Sequence, residues 1–288
     1  MEVIITGLVL GGTYALVALG LNIQYGISRI MNLANGELLV AGGLAAFWFW
    51  TAGQISPMLT LVIVAPGAFV LNYLIYVIML RPLVRRAKSQ GELEVSSILA
   101  TFGLAFVGVG IMLALVGGQY FSYSYLSRPI EILGSNYGLN RIIAFLAAAV
   151  MCALVYLWLH KSRMGMSIRA LAVAPDSAVL VGVNVERLSA LAFAIGGAIT
   201  AVGGALISTF LTLDPSSGVL FTLKALVIVI MGGVGDTRGT IVAALLLGIL
   251  ETFVATVFDP GLTLAAAYLL FVLVLLFRPQ GFFGKPTS

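Results

Sequence analysis

Residues 3–25 read VIITGLVLGGTYALVALGLNIQY, a run without one charged side chain, and residues 26–36 then read GISRIMNLANG. The first stretch is long enough to cross a bilayer, which takes about 20 apolar residues. The second is polar, carries Gly and Asn, and leads directly into a shorter apolar run at 36–51. This pattern predicts a membrane helix followed by a break. Composition extends the reading to the whole chain: 61% of its 288 residues are hydrophobic and 9% are charged. Soluble domains carry about 25% charged residues, so at 9% part of the surrounding solvent must be hydrocarbon.

Apolar runs recur at 3–25, 36–51, 57–80, 96–116, 141–160, 188–211, 221–233, 239–257 and 262–278. The expected fold is all-α, a polytopic transmembrane bundle of eight or nine segments forming one transmembrane domain over 1–288. Runs 36–51 and 221–233 are short for a full crossing, which leaves the count open by one. Small residues inside the runs, such as Gly7, Gly11 and Ala15, suit close helix packing in lipid. Cytoplasmic loops are enriched in Lys and Arg. Placing Arg81, Arg85, Arg86 and Lys88, then Lys161, Arg163, Arg169 and Arg187, then Arg278 and Lys285 inside also puts Arg29 and Arg238 there. If all nine runs cross, the N-terminus is then outside and the C-terminus cytoplasmic; a re-entrant short run would shift this by one crossing. The net charge of +4 reflects these loops, not a nucleic-acid surface. The first run has no basic leader and no small-residue cleavage site, so it is read as a retained span.

Runs 3–25 and 188–211 are both long. Each is followed by a polar break, 26–36 or 212–220 (LTLDPSSGV), then by a short run and two further spans. The opening runs of the two sets have opposite senses in this topology. The spacing predicts an inverted repeat with halves at about 3–116 and 188–278, joined by the connector span 141–160. Interrupted segments at matching positions point to a translocation path. The stretch 117–140, rich in Tyr, Ser and Asn, is the longest external loop; a plain interfacial loop and a docking surface for something outside are the competing readings.

Catalytic and metal chemistry find no residues. Cys152 and His160 are the only members of their types, and one of each cannot supply the three or four N/S ligands of a zinc site. No Ser–His–Asp set can form around His160, so no enzyme is expected. GGVGDTRG at 232–239 lacks the Lys-[Ser/Thr] end of a phosphate-binding loop and follows no strand. Gly232, Gly233, Gly235 and Gly239 are read as a tight turn between two helices, since glycine tolerates positive φ. Polar side chains are costly in hydrocarbon and usually face a bundle interior or a cavity. The candidates for a path are Asn22, Asn32, Asn35, Glu37 and Glu251, with Gln24, Asp214 and Lys224 nearby. Capping of broken helix ends competes as the reading for Asn32, Asn35 and Glu37, and a buried contact to another helix competes for Glu251. Glu251 lies about 19 Å along its helix from Arg238 at 1.5 Å per residue.

The cytoplasmic loop 161–187 carries Pro175, Asp176, Ala178 and Gly182. Pro and Asp suit the first turn of a short helix, which could dock on a soluble partner. Asp176-Ser177-Ala178-x-x-x-Gly182 resembles the EAA-x-x-x-G loop of ABC importer permeases, with Asp for Glu and Ser for Ala. Residues 7–43 are similar to the N-terminal signature of the LivH-type permeases of branched-chain amino acid importers. Asn32-Leu33-Ala34-Asn35-Gly36-Glu37 fits that family's Asn-[Phe/Leu]-Ala-x-Gly-[Glu/Asp] segment, although many members have His or Gln in place of Asn35. Residues 232–239 resemble its GG-x-G-x-x-x-G turn, and RPQGFFG at 278–284 its terminal motif. The resemblance covers nearly the whole chain.

It implies a prokaryotic inner-membrane permease with alternating access. Its partners would be a homologous second permease, two ATP-binding subunits, an extracytoplasmic solute-binding protein and membrane lipid. The chain would bind no cofactor itself, ATP being held by the partner subunits. Branched-chain or related hydrophobic amino acids are the expected solutes; urea, aromatic acids and other small polar solutes are the alternatives. The rival class is a secondary transporter coupled to an ion through Glu37 or Glu251.

Overall fold

The computed structural model describes residues 2–132, 135–173 and 184–284. Every apolar run forms a helix. In chain order they are α1 (Glu2–Ser28), α2 (Asn35–Gly53), α3 (Pro57–Arg86), α4 (Gln90–Val116), α5 (Leu139–Lys161), α6 (Arg163–Val173), α7 (Val185–Ile207), α8 (Gly218–Gly232), α9 (Thr237–Val257) and α10 (Thr263–Phe277). Of these, α6 belongs to the loop that follows α5. Among the described residues seven segments are long and apolar enough to cross a membrane, the last running from Pro260 through α10 to Phe277; α8 is a shorter apolar helix of 15 residues. The chain is a multi-pass membrane protein.

Local chemistry sets the helix ends. Helix α4 begins six residues before its apolar run because Ser89 caps it and Glu92 reaches back to the residue before the cap. Ser89 Oγ accepts from the Glu92 N–H at 3.2 Å, and Glu92 Oε2 accepts from the Lys88 N–H at 2.9 Å, which satisfies two otherwise orphaned donors. Asn184 caps α7 through the Arg187 N–H (3.0 Å), and Asp236 caps α9 through the Gly239 N–H (2.8 Å). One π turn, Tyr76–Leu80, interrupts α3 where Tyr76 is buried against Phe193.

Helices α1 and α7 are almost wholly buried and form the centre. They run antiparallel: Leu16 meets Gly203, while Gln24 reaches Phe193. They cross where Gly20 faces Gly196, and a side chain on either would strike the other's backbone. Dispersion at such close approach drives helix association in lipid. Helix α9 packs antiparallel on α1, with Gly7 and Gly11 against Ile249 and Leu245 and Asn22 against Thr240. Helix α3 packs antiparallel on α7 in the same way, from Asn72 at Gly197 to Arg81 at Glu186. Helix α2 runs parallel to α7, with Asn35 at Thr200 and Gly43 at Ser208.

One end of the bundle gathers basic residues. Arg81 and Arg85 of α3 each reach Glu186 at the start of α7 at 2.8 Å. Arg169 donates to the Leu159 carbonyl at 3.1 Å, and Arg238 stacks on and hydrogen-bonds Tyr156. At the other end lies a hairpin of β1 (Pro129–Ile132) and β2 (Ser135–Gly138), which the sequence reading had left inside a loop. The same loop covers the break after α7: Phe121 and Leu213 exchange two backbone hydrogen bonds, and Tyr123 Oη lies 3.1 Å from Ser208 Oγ.

Candidate functional site

Two helices begin in the middle of the bundle, at the ends of the two breaks. After α1 the chain turns back along it, so that Asn35, the first residue of α2, donates to the carbonyl of Val17 (3.4 Å). Irregular backbone at membrane depth must find partners within the protein. Gln24 and Asn32 supply several: Gln24 donates to the Phe193 carbonyl (3.1 Å) and accepts from Asn32 Nδ2 (2.9 Å). Asn32 Oδ1 in turn accepts from the Ala34 N–H (3.1 Å). Thr101 of α4 accepts from the Leu33 N–H (3.1 Å) and donates to the Met31 carbonyl (3.0 Å). Asn35 also accepts from Thr200 of α7 (3.0 Å). The side chains of Asn32 and Asn35 are thus committed to holding the break.

Helix α8 meets α2 first turn to first turn. The Gly36 N–H donates to Thr222 Oγ1 at 2.7 Å, and Thr222 Oγ1 donates to the Leu33 carbonyl at 3.3 Å. A β-carbon on Gly36 would sit 2.5 Å from the Gly218 carbonyl carbon, so the crossing tolerates only glycine there.

Glu37 lies at this junction and differs from its neighbours. The residue is 4% exposed, and among the described residues neither carboxylate oxygen has a hydrogen-bond partner. The carboxylate rests on the Cα of Gly218, where a β-carbon would be 2.5 Å from Glu37 Cδ. It therefore faces the positive end of α8 while lying in the first turn of α2, and both dipoles favour negative charge. The other charge that acts on it is Asp214, of like sign. Asp214 itself accepts from Ser217 Oγ (2.5 Å) and the Ser216 N–H (2.8 Å); burial raises its pKa, but these bonds outweigh burial and hold it below the usual aspartate value. Glu37 also lines a cavity of about 300 Å³, with Phe102, Phe106 and Val109 of α4 and Val219 and Leu223 of α8.

Glu251 is buried elsewhere and is paired. Its Oε2 accepts from Lys224 Nζ at 2.8 Å and from Tyr14 Oη at 2.9 Å, and Lys224 also donates to Tyr14 Oη at 2.8 Å. This triad ties α1, α8 and α9 together. Asn22 stands apart from both sites. It donates to Thr240 Oγ1 (2.8 Å) and the Asp236 carbonyl (3.1 Å) and accepts from the Gly235 N–H (2.7 Å). It clasps the 232–239 turn, where Gly233 and Gly235 have φ of 98° and 83°. Gly232 and Gly239 meet backbone to backbone within that turn.

The five path candidates therefore fall at three places; Glu37 lines the cavity of about 300 Å³, and Asn22 lines a much smaller one of about 30 Å³ beside the 232–239 turn. Pro175, Asp176, Ala178 and Gly182 lie outside the described residues. The sequence reading missed Thr222, Thr101, Tyr14 and the cavity wall of α4. A signal existed for Thr101 and Thr222, since hydroxyls inside apolar runs need partners. Among the described residues no group of three or more His, Cys, Asp or Glu is placed to hold a metal.

Comparison with known proteins bears on what this arrangement serves. The chain is 29% identical to the high-affinity branched-chain amino acid transport system permease protein BraD of Pseudomonas aeruginosa, over 99% of this chain and 96% of that protein. It is 28% identical to the corresponding protein LivH of Escherichia coli, with the same coverage. It is 25% identical to the probable branched-chain amino acid transport permease protein LivH of Methanocaldococcus jannaschii, over 93% of this chain and 88% of that protein. Residues 3–277 match the family described as branched-chain amino acid transport system, permease component, and the chain belongs to that family.

Proposed function

We propose that this chain is one permease subunit of an ATP-driven importer that carries branched-chain or related hydrophobic amino acids into a prokaryotic cell. Its partners are a homologous permease, two ATP-binding subunits and an extracytoplasmic binding protein. The observation that carries the reading is the meeting of α2 and α8 at their first turns in mid-bundle. Interrupted helices of this kind build solute sites in transporters. Two halves related by inversion are supported by the antiparallel crossing of α1 and α7 and by the matched packing of α9 on α1 and α3 on α7. The basic end of the bundle is read as cytoplasmic. The segment with Pro175, Asp176, Ala178 and Gly182 joins α6 to α7 at that end and is read as the docking element for the ATP-binding subunits. The loop 117–140 is read as facing the binding protein.

The test is reconstitution of the chain with its co-purified partners in liposomes. Leucine-loaded binding protein should stimulate ATP hydrolysis and leucine uptake together. A bulky or charged residue at Ala178 or Gly182 should leave the chain in the membrane and abolish uptake. Gradient-driven uptake by the chain alone, without any ATPase, would replace this reading with an ion-coupled transporter.

A further inference from the structure

Glu37 is a carboxylate with no partner, nine-tenths buried and more, in a protein whose other buried polar groups are largely matched. Removing a charge from water without a partner is expensive. Helix α8 offers its positive end, yet Asp214, four residues before that helix, adds a second negative charge. A cationic group placed beside it would offset that cost. The cavity beside it is walled by Phe102 and Phe106, packed edge to face with centroids 4.8 Å apart, and by Val109, Val219 and Leu223. Its volume, about 300 Å³, is at the small end for ligand sites, which run from about 300 to 1,000 Å³. The chemistry thus asks for a small molecule with a cationic head and a compact apolar body.

We infer that this cavity is where the permease holds the passing amino acid, its ammonium group on Glu37 and its aliphatic side chain between the α4 and α8 walls. The free N–H groups that begin every helix give α8 the donors for the amino acid's carboxylate. Entry requires α8 to part from α2, which breaks the Thr222 bonds to Gly36 and Leu33. The inference rests on the reading of the chain as an amino-acid permease.

The experiment measures leucine uptake and ATP hydrolysis in the same proteoliposomes, for the full complex with leucine-loaded binding protein. In Glu37→Gln, leucine taken up per ATP hydrolysed should fall about tenfold or more, the loss of one charge-assisted hydrogen bond. Val109→Phe keeps the carboxylate and shrinks the cavity, so it should cut leucine uptake more than valine uptake; it carries the test if Glu37→Gln fails to assemble. Unchanged uptake per ATP in Glu37→Gln, or equal leucine and valine losses in Val109→Phe, overturns the inference. The latter result leaves the cavity to a lipid chain or a neighbouring subunit. A wild-type complex that hydrolyses no ATP in response to leucine-loaded binding protein overturns the permease reading instead.

Discussion

Glu37 and Glu251 are equally buried, each 4% exposed, and sit on opposite sides of the bundle's logic. Glu251 has Lys224 and Tyr14 within 2.9 Å and locks three helices together. Glu37 has no hydrogen-bond partner, a glycine beneath it and a cavity beside it. The first is a carboxylate held by a cation and a hydroxyl on Oε2, with Oε1 alone unpartnered among the described residues. The second is one that structure leaves open. Burial alone therefore does not mark a functional acid; burial with neither oxygen paired does.

The largest expected effect is on the paired side. Lys224→Met strands the Glu251 charge and should cost about 3–5 kcal/mol of stability, as breaking a buried pair does. Replacing the triad together, Tyr14→Phe with Lys224→Met and Glu251→Leu, should recover most of that loss, because an apolar substitute of similar volume is often neutral. Thermal melting of the detergent-purified complex checks both. Gly218→Ala comes next. It drives a methyl into the Glu37 carboxylate and should cost about 1–3 kcal/mol, the usual penalty of overpacking. Glu37→Gln reverses the sign expected of a structural acid. Removing a charge without a partner should leave the melting temperature unchanged or raise it, where a loss of about 3 kcal/mol or more would mean a hidden partner.

The smallest effect is at Asp214, a carboxylate satisfied by hydroxyl and amide donors outside the spans. Folding lowers its pKa. Its contribution is therefore present above the ordinary aspartate range and disappears as the pH falls through the lowered value. Hydrogen exchange at residues 208–217 should quicken there before the rest of the chain responds, and Asp214→Asn should remove that pH dependence.

Much of the fold was legible in the sequence. Length and lack of charge marked every spanning run, and the two polar breaks pointed to interrupted helices. The early start of α4 was also written there, as Ser89-x-x-Glu92, and went unread. The hairpin at 129–138 was not legible, since its strands are four residues each and lack a strong alternating pattern. The site was half legible. Glu37 stood out as an acid after a break. Nothing in local spacing tells that it rests on Gly218, or that Lys224 turns toward Glu251, because such pairings are set by how whole helices cross. Lys224 read as a residue near the outer end of a segment and is instead the partner of a buried acid.

The central claim is that Glu37 serves the passing solute while Glu251 serves the scaffold. Its most direct test is leucine uptake per ATP hydrolysed, compared between Glu37→Gln and the Tyr14→Phe, Lys224→Met, Glu251→Leu combination in matched proteoliposomes. The account predicts a fall of about tenfold or more in the first and a ratio near wild type in the second. A wild-type ratio in Glu37→Gln, or an equal fall in both, would contradict it.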